Sequence, residues 1–108
     1  MNQINEMKQS LMELFIELQS VVQLPSPQKE MQMLRLAIVA EYDAANLYEN
    51  MAHFCTNENV KEVLLDIAQE EKVHIGELET LLSEIDDEHD DSMEEGEEEV
   101  EKETGDME

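Results

Sequence analysis

The chain has 108 residues and a formal net charge of -23, from 29 acidic and 6 basic side chains. Such a length builds one domain at most, and the excess of carboxylates excludes nucleic acid and anionic membrane surfaces as partners while favouring cations. No apolar run reaches the roughly 20 residues that span a bilayer, no basic segment followed by an apolar one opens the chain, and the one cysteine, Cys55, permits no intrachain disulfide, so a soluble, unsecreted, cytoplasmic protein is expected.

Residues 1–24 are the first segment. Apolar side chains recur at Ile4, Met7, Leu11, Leu14, Leu18 and Val21, widened by Phe15, Val22 and Leu24, which is the spacing of an amphipathic helix with a heptad-like seam. Leu24-Pro25-Ser26-Pro27 ends it, because proline disfavours helix in the residue before it. Ser26 then caps a second helix, with Pro27 at its first position.

In the second helix the inward positions step by three and four through Met31, Leu34, Ile38, Glu41, Ala45, Tyr48, Ala52 and Cys55. Cys55 closes that pattern, where a small buried hydrophobe fits better than a reactive thiol. Residues 54–59 read as a short connector, with Thr56 or Asn57 capping a third helix and Glu58 and Glu62 favouring its first turn. The third helix steps through Val60, Leu64, Ile67, Glu71, His74, Leu78, Leu81 and Ile85. Gly76 lies inside it at a cost of about 1 kcal/mol against alanine, for which a close helix approach would account. So short a connector forces antiparallel packing, making residues 25–85 a helical hairpin.

Residues 86–108 carry 14 acidic side chains and one lysine. The run from Asp86 to Asp91 is expected to be solvated and extended by self-repulsion. Residues 92–104 have a cap at Ser92 but only Met93, Gly96 and Val100 to pack, so by composition they read as disordered.

Three metal-ligating residue types interrupt the apolar pattern of the hairpin: Glu41, Glu71 and His74. Burying unpaired charge costs several kcal/mol or more, so three such groups in a hydrocarbon seam call for a compensating cation. Folding the chain back near residues 56–57 puts Glu41 level with Glu71 and Lys72, roughly 20 Å from the turn. Glu71 and His74 are three apart and leave one helix face. For Glu-x-x-His alone, a solvated edge and a hydrogen-bonded core histidine is the plainer account; Glu41 at matching height is what weighs against it.

One Glu from one helix plus Glu-x-x-His from the next is half the ligand set of a carboxylate-bridged di-iron site. A second copy of the chain would supply the other half, completing a four-helix bundle across a homodimer interface. The fold class expected is therefore all-α, a two-helix hairpin forming a ferritin-like bundle by homodimerisation, with an extra N-terminal helix and an acidic tail. His74 needs an acceptor to orient its second ring nitrogen, a role open to Tyr48 or Glu70.

The stretch Leu34-Arg35-Leu36-Ala37-Ile38-Val39-Ala40-Glu41-Tyr42-Asp43-Ala44-Ala45-Asn46-Leu47-Tyr48-Glu49, followed by Cys55 and by Val63-Leu64-Leu65-Asp66-Ile67-Ala68-Gln69-Glu70-Glu71-Lys72-Val73-His74-Ile75-Gly76-Glu77, resembles the encapsulated ferritins. Among them it is most similar to the ferritin-like domain fused to the shell protein of archaeal encapsulins. The resemblance implies dimers that build a ferroxidase centre at their interface and a ring of dimers, commonly a decamer. It implies Glu41, Glu71 and His74 as iron ligands and Tyr48 as a group beside them. Some relatives carry an acidic site through which metal enters; Asp43 matches one of its positions, whereas Ala40 departs from the other and Leu47 replaces the family tryptophan. The resemblance also implies a short helix over 92–103 that forms on assembly. No shell domain follows, and Gly105-Asp106-Met107-Glu108 lacks the small, apolar and basic pattern of an encapsulin-targeting peptide.

The reaction expected is oxidation of Fe(II) to Fe(III) by dioxygen or peroxide, with any mineral collecting within an encapsulin nanocompartment, since two helices enclose no storage cavity. Manganese suits the same ligands. Two other classes stay open: a rubrerythrin-like di-iron peroxidase, which would need an outside electron donor, and a non-catalytic helical adaptor, which would leave Glu41, Glu71 and His74 unexplained.

Overall fold

The computed structural model describes residues 3–105, with side chains over 11–105. Four α-helices follow one another: α1 (Gln3–Val21), α2 (Gln28–Phe54), α3 (Glu58–Ile85) and α4 (Asp87–Thr104). Helices α2 and α3 form the expected hairpin, α1 packs on α2, and α4 packs on the end of α3.

The linker between the long helices is three residues, and Asn57 rather than Thr56 is the cap, its side chain accepting from the Val60 amide at 3.0 Å. That bond satisfies one of the amide donors left open at a helix start. Helix α2 begins one residue later than expected: Pro27 occupies the cap position itself and no side chain caps the helix.

Along α2 the expected seam is the observed one, with Ile38, Ala45 and Ala52 buried and Met31, Leu34, Glu41, Tyr48 and Cys55 half-buried. In α3 the buried residues are Ala68, Ile75 and Leu82, while Val60, Leu81 and Ile85 are exposed. The expected phase is therefore off by about one position toward the C-terminal end. A seam stepped as a strict heptad drifts about 20° per repeat against a straight helix, and α3 is apolar on two adjoining faces, so stepping from Val60 follows the outer one. Ile38, Ile75 and Leu82 form a buried hydrophobic cluster, with Met31, Leu34 and Leu78 packed against it.

Gly76 is not explained by a close approach within the chain, because a Cβ there would meet nothing within 4 Å. The acidic run from Asp86 to Asp91 is helical rather than extended, and the last helix starts at Asp87, five residues before the expected 92. Asp86 is its cap, accepting from the His89 amide at 3.2 Å, and Asp87, Glu88 and Asp90 in the first turn meet the positive end of the helix dipole. Arg35 from α2 pairs with the same Asp86, and His89 meets Glu79 of α3 at 3.0 Å. Gly105 ends α4 at φ 74°, a left-handed turn that glycine adopts without strain.

In α1, Val21 is buried and Leu14 and Leu18 are half-buried, whereas Leu11, Met12, Phe15 and Ile16 face outward. The seam positions Ile4 and Met7 lie outside the described side chains, as does the 106–108 part of the tail. The chain exposes 8276 Å², against about 6200 Å² expected of a folded monomer of this mass. Its radius of gyration is 17.3 Å, where about 13 Å is usual for this length. Among the described residues, no helix is long and apolar enough to cross a membrane.

Candidate metal centre

Glu41 on α2 and Glu71 and His74 on α3 converge, each offering one ligand atom within 4.8 Å of the others. The antiparallel register brings them together, since Glu41 sits near the middle of α2 and Glu71 faces it across the hairpin. His74 Nδ1 stands 3.3 Å from Glu41 Oε2 and 3.8 Å from Glu71 Oε2. It is the only group of its kind among the described residues.

The three groups are not sealed in a hydrocarbon core. Side-chain exposure is 26% for Glu41, 18% for Glu71 and 49% for His74. They lie on the rim between the hairpin seam and one open flank. Stepping along each helix places Ala37, Ala44, Tyr48 and Met51 on that flank beside Glu41, and Val60, Val63, Ile67, Leu81 and Ile85 beside His74. The opposite flank carries the Lys72–Glu49 pair at 3.1 Å. The open side next to the cluster thus carries an apolar strip, with the exposed Glu70 and Glu77 at its outer edge.

The cluster's electrostatics favour an added positive charge. The hydrogen bond shared with Glu41 is the main reason Glu71 holds its proton above the ordinary carboxyl range; burial and the Glu41 charge add to it, and His74 opposes it. The His74 imidazolium is likewise favoured, first by its hydrogen bond to Glu41 and then by the charges of Glu41, Glu71 and Glu77, with desolvation opposing. That upward push on Glu71 marks a place where two neighbouring carboxylates are eased by a cation between them. Two hard oxygens and one imidazole fit Fe(II) or Mn(II) by donor type, and three donors leave further coordination positions open.

Tyr48 lies two turns along α2 from Glu41 and is half-buried, but the side chains that meet the His74 ring at polar-contact distance are Glu41 and Glu71, neither Tyr48 nor Glu70. Asp43 is exposed and stands outside the cluster, two residues on and so about 200° round the helix from Glu41. Glu77, off the inward phase and three residues after the histidine, adds the smallest of the charges that favour the His74 imidazolium.

The rubrerythrin family model matches residues 32–105. A ferritin-like–encapsulin shell fusion protein of Pyrococcus furiosus is 52% identical over 75 residues, which is 69% of this chain and 22% of that protein. The chain therefore spans about a fifth of the length of this curated relative. The crystal structure of the encapsulated ferritin domain from Pyrococcus furiosus is 48% identical, covers 76% of this chain and 84% of its own, and superposes with a TM-score of 0.72.

Proposed function

The chain belongs to the rubrerythrin family and has the ferritin-like helical fold, and from that premise we propose that it is a ferroxidase whose di-iron centre is shared between two copies. The observation that carries the proposal is the convergence of Glu41, Glu71 and His74 at the rim of an open apolar flank. One chain supplies two carboxylates and one imidazole, half of what a di-iron bundle site uses. Packing the flank against its mate would place two such sets face to face. The surface of the isolated chain exceeds that of a typical monomer by about 2000 Å², more than twice the roughly 800 Å² each partner buries in a standard interface.

Iron held there supplies the electrons, with Fe(II) becoming Fe(III) as dioxygen or peroxide is reduced. The chain's residues hold and orient it. Metal and proton compete for the Glu71 oxygens, so the raised affinity of Glu71 for a proton makes metal binding weaken as pH falls. Glu41, which accepts from His74 in the free chain, exchanges that hydrogen bond for the metal, and His74 Nδ1 must shed its proton to ligate. Tyr48, on the same flank, closes the apolar side of the site. Asp43, turned away within one chain, is proposed to guide metal at a contact between copies.

The assembly proposed is a ring of dimers, a decamer, acting with an encapsulin shell. The fusion of the Pyrococcus relative to a shell protein and the encapsulated ferritin domain of the matching crystal structure support that partner. Ferric product would then collect in the compartment. The family match also favours a second reading, a peroxidase using the same ligands with peroxide and an external reductant. The single cysteine cannot form a paired-cysteine electron-transfer site within this chain.

The test is the rise of ferric absorbance when anaerobically Fe(II)-loaded protein meets air. Wild type oxidises rapidly, Glu41→Ala and His74→Ala lose the fast phase, and Glu70→Ala keeps most of it. Near-normal oxidation by either of the first two removes the proposal. Turnover with peroxide and reductant, but not with dioxygen, selects the peroxidase.

A further inference from the structure

Helix α4 is fastened to the hairpin at its start, where Asp86 caps it and pairs with Arg35 and where His89 meets Glu79. From Ser92 to Val100 every side chain is exposed. Eleven of the 18 residues of α4 are acidic, and seven like-charge pairs four residues apart, from Asp87–Asp91 to Glu99–Glu103, oppose one attractive pair, Glu98 with Lys102. Past its docked end the helix therefore stands against its own repulsion, which a cationic partner would relieve.

An apolar strip runs through this charge. At 3.6 residues per turn Met93, Gly96 and Val100 fall within about 60° of one another, on the same face as His89. Met93 and Val100 are 56% and 59% exposed, and a Cβ at Gly96 would meet nothing within 4 Å, which leaves a notch between them. By the same geometry Glu97 and Glu101 edge the strip on one side, and Glu99 and Glu103 on the other. Its Met93 end opens into a groove of about 460 Å³ between α3 and α4, lined by Glu79, Thr80, Ser83, Glu84, Asp90 and Met93. That size lies within the roughly 300–1,000 Å³ of binding clefts.

Charge and shape together select the occupant. A free cation gains nothing from an apolar strip, whereas a helix with apolar side chains on one face and lysines or arginines beside them matches both parts of the surface. A second copy of this chain does not. It carries the same net charge of -23, and of its six basic side chains Arg35 and Lys72 already pair with Asp86 and Glu49 while Lys102 lies on α4 itself. We propose that the α3–α4 groove and the Met93–Gly96–Val100 strip dock a basic amphipathic helix of a partner protein, its apolar side chains on the strip and its cations against the flanking carboxylates. The strip lies beyond the end of α3, so this docking is independent of Glu41, Glu71 and His74 and of the reaction proposed for them.

Calorimetric titration of the full chain with two synthetic peptides separates fit from charge. One is a lysine–leucine peptide with its leucines at helical spacing, and the other is a scrambled sequence of the same composition. The amphipathic peptide is expected to bind about tenfold tighter, and both are expected to weaken with added salt. Met93→Gln/Val100→Gln changes no charge and places good helix formers at exposed positions; with circular dichroism unchanged, it is expected to erase the preference while weak binding of both peptides remains. Glu97→Gln/Glu101→Gln is expected to weaken both peptides. In hydrogen exchange, amides from Met93 to Thr104 are expected to gain several-fold protection with the amphipathic peptide and little with the scrambled one. Equal affinity of the wild type for the two peptides would overturn the proposal. So would an undiminished preference in Met93→Gln/Val100→Gln, which would place the peptide on another apolar face. The same protection from Mg(II) alone would assign the carboxylates to free cations and overturn it as well.

Discussion

Glu41→Gln keeps the shape of the side chain and removes one charge from the cluster. The carboxylate oxygens of Glu41 and Glu71 lie within 4.8 Å. At that separation like charges repel by about 1 kcal/mol in water and about 3.5 kcal/mol at an effective dielectric of 20. Both side chains keep partial access to solvent, so the lower figure is the better guide. The opposing loss is the hydrogen bond from His74, a half-exposed pair that adds little once the imidazole is neutral. Two linkages fix the pH. His74 is raised above 6.5, so its contribution is full below that value and fades as pH climbs through its folded pKa. Glu71 is raised above 4.5, so the fold again favours the protonated form and loses stability as pH rises through the shifted value. The metal-free wild type should therefore weaken steadily from pH 4.5 upward past 6.5, and Glu41→Gln, which removes the leading cause of both shifts, should flatten that profile. At about pH 8.5 the variant should be more stable than wild type by about 1 kcal/mol, or 4–8 °C in Tm. Urea melts followed by circular dichroism at one protein concentration, with and without Mn(II), measure this. Mn(II) should stabilise wild type and leave the variant unmoved. A variant about 1 kcal/mol weaker at that pH, with an undiminished response to Mn(II), would refute the reasoning.

Leu82 is 1% exposed in the buried cluster of the hairpin, so Leu82→Ala should cost about 2–5 kcal/mol in denaturant unfolding; a loss under 1 kcal/mol would mean that the core is elsewhere. Asp86 both caps α4 and pairs with Arg35, so Asp86→Ala should lower protection of α4 amides in hydrogen exchange by about tenfold, from about 1–2 kcal/mol of lost cap and ion pair, while α2 and α3 stay protected. On the proposed shared site, Fe(II) at a hundredfold excess over Kd should favour the dimer by about 2.7 kcal/mol; native mass spectra unchanged by iron would contradict that.

The seam of α2 was legible because its apolar residues occupy one face, interrupted at Glu41 alone among charged residues. The seam of α3 was displaced because two of its faces are apolar, one for α2 and one left open, and a single periodicity cannot separate them. The cluster was legible from register: a three-residue turn fixes which heights meet, and Glu-x-x-His fixes a face. Its exposure was not, since residues that look like core in the sequence sit at a rim open to solvent in the single chain. At Asp86 to Asp91 the net charge implies an extended run, whereas the chain there is already in α4. An aspartate cap with three acidic residues in the first turn, held by Arg35 and Glu79 from the hairpin, outweighs that repulsion at the helix start.

The central claim is that two copies hold iron between their Glu41, Glu71 and His74 side chains. Anomalous scattering at the iron edge, from crystals grown with Fe(II), tests it most directly. The account predicts two iron peaks on the interface between two antiparallel hairpins, each in coordination range of Glu41, Glu71 and His74. Iron bound away from these residues, or a complete site within one chain, would contradict it.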